Sequence, residues 1–78
     1  MHYVYILELN NGDYYTGSTS DLKNRLKQHQ NDQNPSTKNH RPTKLIWSAT
    51  FRTKKLAEDF EQYLKSSSGF AFRNKRLI

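Results

Sequence analysis

The pattern of apolar and polar positions in the first third of the chain predicts a β-hairpin. Residues 1–9 are rich in β-branched and aromatic side chains, and residues 14–17 return to this composition after a polar stretch. The dipeptide Asn11-Gly12 lies between them and is among the strongest short-range signals for a hairpin turn. Two strands joined at this point are therefore expected.

The length of the turn decides which side chains share a face of the hairpin. With the two-residue loop Asn11-Gly12, Tyr5 and Tyr15 point to opposite faces. With the three-residue loop Asn10-Asn11-Gly12, the glycine takes a left-handed conformation, Tyr5 faces Gly17, and the two tyrosines share one face. The turn signal itself permits both loops.

A helix, a loop and a third strand are expected next. A cluster of residues that favour helix N-termini ends at Asp21 and predicts a helix over residues 21–30. Residues 31–42 are polar, contain both prolines and predict a loop. Residues 44–51 have the composition of a strand.

The last third of the chain predicts one long and one short helix. Thr53 can cap a helix that residues 66–69 end, and residues 70–78 are expected to form a short terminal helix. The resulting order β-β-α-β-α-(α) predicts an α+β fold in which one small sheet packs with helices. The apolar residues of the longer helix recur at helical spacing at Leu56, Phe60, Tyr63 and Leu64.

Length and composition narrow the functional classes. The 78 residues suffice for one domain, here residues 1–78, and the longest apolar run is too short for a membrane span. The absence of cysteine excludes disulfides, a cysteine-ligated zinc site and a thiol nucleophile, and it fits a cytoplasmic protein. No P-loop, nucleophile elbow or dinucleotide-binding glycine motif is present.

The distribution of charge favours a polyanionic ligand. The formal net charge is +6, and residues 40–78 hold nine of the thirteen Lys and Arg residues. A basic domain whose cations gather in one half is typical of nucleic-acid binding. The alternative is a charged surface that only maintains solubility.

The first helix carries polar residues where its core-facing stripe is expected. Leu22, Arg25, Leu26 and His29 follow the spacing of one helix face, yet two of the four are not apolar. Arg25 and His29 lie one turn apart and therefore point along the sheet or toward a neighbouring cleft. The structural alternative is an arginine stem that passes apolar surface and a histidine satisfied at the border of the core.

Glu61 is a similar exception on the second helix. It lies four residues after Ala57 and three before Leu64, at the edge of the apolar stripe. Its ordinary explanation is an exposed carboxylate, or an i,i+4 partner for Lys65. The small number of carboxylates in the chain argues against two-metal catalysis.

These exceptions coincide with the motif positions of a known family. Over most of its length, from Tyr3 to about Gly69, the chain resembles the small stand-alone members of the GIY-YIG endonuclease superfamily. The two half-motifs read Tyr3-Val4-Tyr5 and Tyr15-Thr16-Gly17. The resemblance implies a three-stranded antiparallel sheet flanked by helices, which agrees with the element order above.

Three further positions carry the resemblance. Arg25 stands ten residues after the second motif tyrosine, where the family has an arginine, and His29 stands one helical turn later. The metal-binding glutamate of the family falls on Glu61.

The chain also departs from the family pattern. The first motif glycine is Tyr3, and a lysine found in some members is Ser18. The late asparagine of the family falls near Arg73, with Asn74 adjacent.

The resemblance implies hydrolysis of DNA phosphodiester bonds with one Mg²⁺ or Mn²⁺ ion held by Glu61. It further implies Tyr5 as the general base with Tyr15 as its partner, and Arg25 as the residue that holds the scissile phosphate. His29 is expected to position a phosphate oxygen or to relay a proton. A shared site requires both phenols on one face, so we favour the three-residue loop.

Two other functions are compatible with the sequence. The first is a nucleic-acid-binding module of the same fold without cleavage activity, and the second is an adaptor that docks on a protein partner. The cations expected to contact nucleic-acid phosphates are Lys38, Arg41, Lys44, Lys65, Arg73, Lys75 and Arg76.

Overall fold

The computed structural model describes residues 1–30 and 43–78, so the loop predicted over residues 31–42 lies outside the described part. The order of strands and helices is the predicted one. The elements are β1 (His2–Glu8), β2 (Tyr14–Thr19), α1 (Leu22–Gln30), β3 (Lys44–Phe51), α2 (Lys54–Lys65) and α3 (Ser67–Phe72), followed by a π-helical turn (Arg73–Leu77).

The three strands form one antiparallel sheet in the order β2-β1-β3. Tyr5 pairs with Gly17 and Leu7 pairs with Tyr15, which is the register of the three-residue loop. The Leu9 amide donates to the Asp13 carbonyl at 2.8 Å, and Gly12 has a φ of 89°. The predicted hairpin is confirmed, and a left-handed glycine closes it.

Helix α2 covers one face of the sheet and builds the core there. Val4 and Ile6 of the central strand pack with Ala57 and Leu64 of α2, and all four side chains are buried. Helical spacing alone placed Leu56 and Tyr63 in this stripe, but both are roughly half exposed. The stripe is centred on Ala57, whose small side chain lets the helix approach the sheet. Partly buried Ile46, Trp47, Phe51, Phe60 and Leu77 extend this core.

The opposite face of β1 carries Tyr5 and Leu7, both buried. Successive residues of a strand point to opposite faces, so these two side chains lie on the far side of the sheet from α2. His29 of α1 contacts Tyr5 on this side. The two faces of the central strand therefore serve different purposes, a small apolar core on one and a polar aromatic cluster on the other.

The helices begin at the predicted caps, but the C-terminal segment differs. The Thr53 hydroxyl accepts from the Leu56 amide, as expected of an N-cap. Ser66 ends α2 and then caps α3, because its hydroxyl accepts from the Gly69 amide at 3.2 Å. The terminal helix therefore starts at Ser67, three residues before the predicted boundary. In the described part of the chain, no helix has the length and apolar character that crossing a bilayer requires.

Candidate functional site

Two tyrosines and a histidine form a compact ring cluster on the α1 face of the sheet. The ring centroids of Tyr5 and Tyr15 are 6.2 Å apart, and those of His29 lie 5.7 Å from Tyr5 and 5.2 Å from Tyr15. The Tyr5 hydroxyl is 2.9 Å from Nε2 of His29, a hydrogen bond between two fully buried side chains. The structure thus brings together three of the predicted site residues.

Gly17 makes this cluster possible. A Cβ atom at this position would lie 2.6 Å from the Tyr5 hydroxyl oxygen and 2.9 Å from Cε2 of Tyr15. Such distances are well inside van der Waals contact, so only glycine lets both rings lie against β2. The second half-motif therefore has a physical reason: its tyrosine supplies a ring, and its glycine makes room for that ring and for Tyr5.

We expect Gly17→Ala to destabilise the protein and to disturb the tyrosine cluster. Adding a methyl group to a filled space costs about 1–3 kcal/mol of unfolding free energy. Urea unfolding would measure this loss, and near-UV circular dichroism would report the changed tyrosine environment.

Gly12→Ala is the matched control. It strains a left-handed turn at a cost of about 1–2 kcal/mol, but nothing lies within 4 Å of its Cβ position. Its tyrosine spectrum should stay that of the wild type. A Gly17→Ala variant with both the spectrum and the urea midpoint of the wild type would contradict this packing.

Burial controls the acidity of Tyr5. It raises the pKa of Tyr5 to about 12, and the neighbouring Tyr15 adds to the rise. A hydrogen bond with Arg25 and the positive charge of Arg25 oppose this effect, while the charge of Glu61 makes the smallest raising contribution. Arg25 thus joins the cluster from α1, and the Tyr5 phenol is protonated at neutral pH.

The same burial keeps His29 neutral. Removal from solvent lowers the pKa of His29 below its ordinary value of 6.5, and the nearby Arg25 charge lowers it further. A neutral imidazole has one nitrogen that accepts a hydrogen bond. Since His29 is buried against Tyr5, its position favours the predicted proton relay over direct contact with a phosphate.

Glu61 reaches the edge strand β2 from the other side of the sheet. Its Oε1 atom accepts a hydrogen bond from the Ser18 hydroxyl at 2.7 Å, and its Oε2 atom lies 2.8 Å from Nζ of Lys65. The Glu61 side chain is only 15% exposed. The i,i+4 partner considered from the sequence is therefore real, but the carboxylate also has a partner 43 residues away, which the sequence gave no means of predicting.

This donor set fits a hard cation with few protein ligands. Mg²⁺ prefers oxygen ligands, keeps several waters and commonly uses one or two carboxylates together with substrate phosphates. One carboxylate and one hydroxyl at Glu61 and Ser18 match that preference. Among the described residues no group of three or more His, Cys, Asp or Glu side chains could form an all-protein cage.

Arg73 is buried against aromatic rings, although its charge predicted a cation that contacts nucleic-acid phosphates. Only 9% of the residue is exposed, and its guanidinium carbon lies 4.3 Å from the Phe70 ring centroid and 5.3 Å from that of Tyr14. Its Nε and Nη2 atoms donate to Oδ1 of Asn74 at 3.2 and 2.9 Å. The aromatic contacts of Arg73 were not predicted, because Phe70 was taken as the start of the terminal helix.

Those of the other predicted phosphate-binding cations that the structure describes lie on three separate elements. Lys44 starts β3, at the opposite edge of the sheet from β2, and pairs in register with Glu8. Lys75 and Arg76 are exposed in the π-helical turn, whereas Lys65 contacts Glu61. Lys38 and Arg41 lie outside the described residues.

Comparisons with known proteins agree with this geometry. A family model described as the GIY-YIG catalytic domain matches residues 1–76. A UPF0213 protein of Staphylococcus saprophyticus is 36% identical over 77 residues, which cover 97% of this chain and 89% of that protein. A UPF0213 protein of Clostridium perfringens is 36% identical over 78 residues, covering 99% of this chain and 80% of that protein.

A solved structure shares the fold. The solution NMR structure of the UPF0213 protein BH0048 from Bacillus halodurans is similar with a TM-score of 0.59 and 31% sequence identity. The similarity covers 97% of this chain and 85% of that one. The names of these relatives state no activity, so the function has to be argued from the site.

Proposed function

The chain belongs to the GIY-YIG family, and from this premise we propose that it is a metal-dependent endonuclease that hydrolyses phosphodiester bonds in DNA. The observation that supports this most directly is the buried hydrogen bond between Tyr5 and His29, beside the Arg25 guanidinium. A packing role alone gives no reason to bury a phenol and an imidazole together, beside a half-buried guanidinium, in so small a protein.

The Tyr5–His29 pair can act as a proton relay. A phenol with a pKa of about 12 is a poor base while it keeps its own proton. In our proposal the Tyr5 hydroxyl donates to Nε2 of neutral His29, and it passes its proton along this hydrogen bond as it takes one from the attacking water. Tyr15 packs against both rings and holds their geometry.

Arg25 is the proposed phosphate-binding residue. Its side chain is half-buried next to Tyr5, so a phosphate held there would lie beside the proposed base. A guanidinium presents paired donors that match two phosphate oxygens, and its charge stabilises the negative charge that develops in the transition state.

Glu61 is the proposed protein ligand of a Mg²⁺ or Mn²⁺ ion, with the Ser18 hydroxyl fixing its carboxylate. When bound, such an ion supplies charge stabilisation for the phosphate oxygens and the leaving group. Lys65 holds the second carboxylate oxygen in the absence of metal. In our proposal Lys65 leaves Glu61 when the ion binds, and its ammonium group then contacts the DNA backbone.

A non-catalytic nucleic-acid-binding module is the second candidate, and the Glu61–Lys65 ion pair favours it. A metal ion that takes Oε2 of Glu61 must displace Lys65, and within the described residues Glu61 belongs to no group of three or more His, Cys, Asp or Glu side chains that would add to the attraction. If that exchange is unfavourable, the fold binds DNA without cutting it.

One experiment separates the two candidates. Labelled single-stranded, duplex and branched DNA are incubated with the protein in Mg²⁺, in Mn²⁺ and in EDTA, and the products are separated on denaturing gels. Metal-dependent cleavage of any substrate supports the endonuclease. Binding in EDTA without cleavage in either metal supports the binding module. A cytoplasmic location stays a prediction under both.

DNA affinity is expected to depend strongly on salt. Phosphate contacts by lysine and arginine release counterions, so log affinity for duplex DNA should fall linearly with log salt, with a slope of about −0.9 per phosphate contact. Fluorescence anisotropy in EDTA measures this slope.

Exposed cations of the π-helical turn provide the comparison for the salt series. Lys75→Gln and Arg76→Gln should each reduce the slope by about 1 if the side chain contacts a phosphate. An affinity that does not change with salt would argue against nucleic acid as the ligand.

A further inference from the structure

Two exposed aromatic rings and a buried arginine form a stacked surface at the edge strand β2, which also carries Tyr15 of the tyrosine cluster. Tyr14 is 36% exposed and Phe70 is 50% exposed, and the guanidinium of Arg73 lies over both rings. Asn74 holds this guanidinium through two hydrogen bonds. We call Tyr14, Phe70 and Arg73 the stacking platform.

The platform lines a cleft that also contains a residue of the proposed catalytic site. Two adjoining depressions of about 580 and 330 Å³ share Tyr14, Tyr15, Phe70 and Arg73 in their walls. Tyr14 and Tyr15 are consecutive residues of the edge strand β2, so a molecule that extends from the platform around this edge would reach Tyr15.

The two ends of the cleft carry opposite charges. The larger depression reaches the hairpin turn, where the Asp13 carboxylate lies and accepts a hydrogen bond from Asn11. The smaller depression reaches Lys65 instead. Within the described residues no ion pair of Arg73 with a carboxylate is seen, so its positive charge is available to attract an anion into the cleft. A phosphate backbone is attracted at the Lys65 end and repelled at the Asp13 end.

Aromatic faces beside such a cationic path suit one kind of ligand. Proteins that bind single-stranded nucleic acid combine a cationic groove with aromatic side chains on which bases stack, regardless of sequence. In a duplex the base faces are already stacked on each other and cannot reach a protein ring.

We infer that the stacking platform binds an unpaired nucleobase next to the phosphate that the site engages. The substrate then carries at least one unpaired nucleotide, as in a single strand, a flap or a branch. This inference rests on the proposed function, because it takes the neighbouring phosphate to be the one held at Arg25.

Substitution of Phe70 in the 78-residue chain tests the inference. Anisotropy in EDTA compares a single-stranded oligonucleotide, the same backbone with abasic sites, and a blunt duplex. Phe70→Leu keeps an apolar side chain over Arg73 but removes the aromatic face. It should weaken binding of the single strand about fivefold or more and leave the abasic strand and the duplex unchanged. Phe70→Tyr should bind as the wild type does.

Phe72 provides the matched control. It lies in the same helix, is 37% exposed and packs against Tyr63, with ring centroids 6.1 Å apart, but it does not line the cleft. Phe72→Leu should leave all three affinities unchanged. An equal loss at Phe72, or an equal loss for the abasic strand, would overturn the inference. So would unchanged affinity in Phe70→Leu, which would leave the cleft to a ligand of other chemistry, such as an acidic peptide.

Failure of the inference and failure of the proposed function have different signatures. Stacking is measured without metal. If binding of single strands requires Phe70 but the wild type never cleaves DNA, the stacking platform is supported and the nuclease function is contradicted. If the wild type cleaves DNA but Phe70→Leu binds single strands as tightly as the wild type does, the nuclease function is supported and the stacking platform is contradicted.

Discussion

Replacement of Glu61 with Gln is expected to abolish metal-dependent cleavage while leaving the fold and DNA binding intact. The amide oxygen can still accept the Ser18 hydrogen bond, so the tie between α2 and β2 is kept. The variant loses the ion pair with Lys65, whose side chain is 48% exposed. Such solvent-screened pairs contribute about 0.2–1 kcal/mol, which a urea titration can measure.

The loss of cleavage has a simple electrostatic cause. A neutral amide holds a divalent cation far more weakly than a carboxylate does. Among the described residues no group of three or more His, Cys, Asp or Glu side chains could bind the ion in place of Glu61. Affinity for DNA in EDTA should stay the same or increase, because a negative charge next to the phosphate path has been removed.

Glu58→Gln is the matched control for this variant. Glu58 lies on the same helix and is exposed, so the same loss of charge occurs away from the site. It should cleave as the wild type does. Arg25→Ala gives the contrasting signature, a loss of both cleavage and phosphate binding. If Glu61→Gln cleaved as well as Glu58→Gln, Glu61 would not be the metal ligand.

Local signals were sufficient for most of the secondary structure. The loop Asn10-Asn11-Gly12 determined the register of β1 and β2. Side chains of a strand alternate between the two faces, so a loop that is longer by one residue moves the side chains of the following strand to the opposite face. Thr53 marked the start of α2 in the same local way. In both cases the deciding interactions lie within a few residues of the signal.

The predictions that were wrong depended on tertiary contacts. The serines at 66–68 are compatible with a linker and with a new N-cap, and packing of α3 against α2 selects the second. Helical spacing placed Leu56, Phe60, Tyr63 and Leu64 in the apolar stripe of α2. Close contact with the sheet buries Ala57 and Leu64 but leaves Leu56 and Tyr63 about half exposed.

The candidate site divides in the same way. Tyr5, Tyr15, Arg25 and His29 come from β1, β2 and α1, so the hairpin register and one helical turn pair them correctly, and packing of α1 on the sheet then brings His29 to Tyr5. Glu61 is different, because its contact with Ser18 depends on how α2 lies across the edge strand. The sequence identified Glu61 through its family position, but not the hydroxyl that orients it.

The Tyr5–His29 pair leads to the second large effect, in Tyr5→Phe. Removal of the hydroxyl should lower the cleavage rate about 10²–10⁴-fold, the usual contribution of a positioned acid–base group. The aromatic packing against Tyr15 and Gly17 is kept, so the fold should survive the loss of one buried hydrogen bond at a cost of about 1–3 kcal/mol. Single-turnover cleavage with saturating DNA measures the chemical step directly.

The pH profile of the wild type should show that His29 acts with Tyr5. Only the neutral imidazole accepts the Tyr5 proton, and burial lowers the pKa of His29 below 6.5. Cleavage should therefore rise with pH through that lowered pKa and level off above it, with the acidic limb below pH 6.5. His29→Gln cannot titrate, so it should cleave slowly and show no such limb.

A double variant decides whether the two residues form one relay. If the proton passes from Tyr5 to His29, the double variant Tyr5→Phe with His29→Gln should be about as slow as the slower single variant, because each substitution breaks the same pathway. Independent roles predict that the two rate losses multiply. A multiplicative loss, or an acidic limb that persists in His29→Gln, would contradict the relay and leave His29 a structural neighbour of the tyrosines.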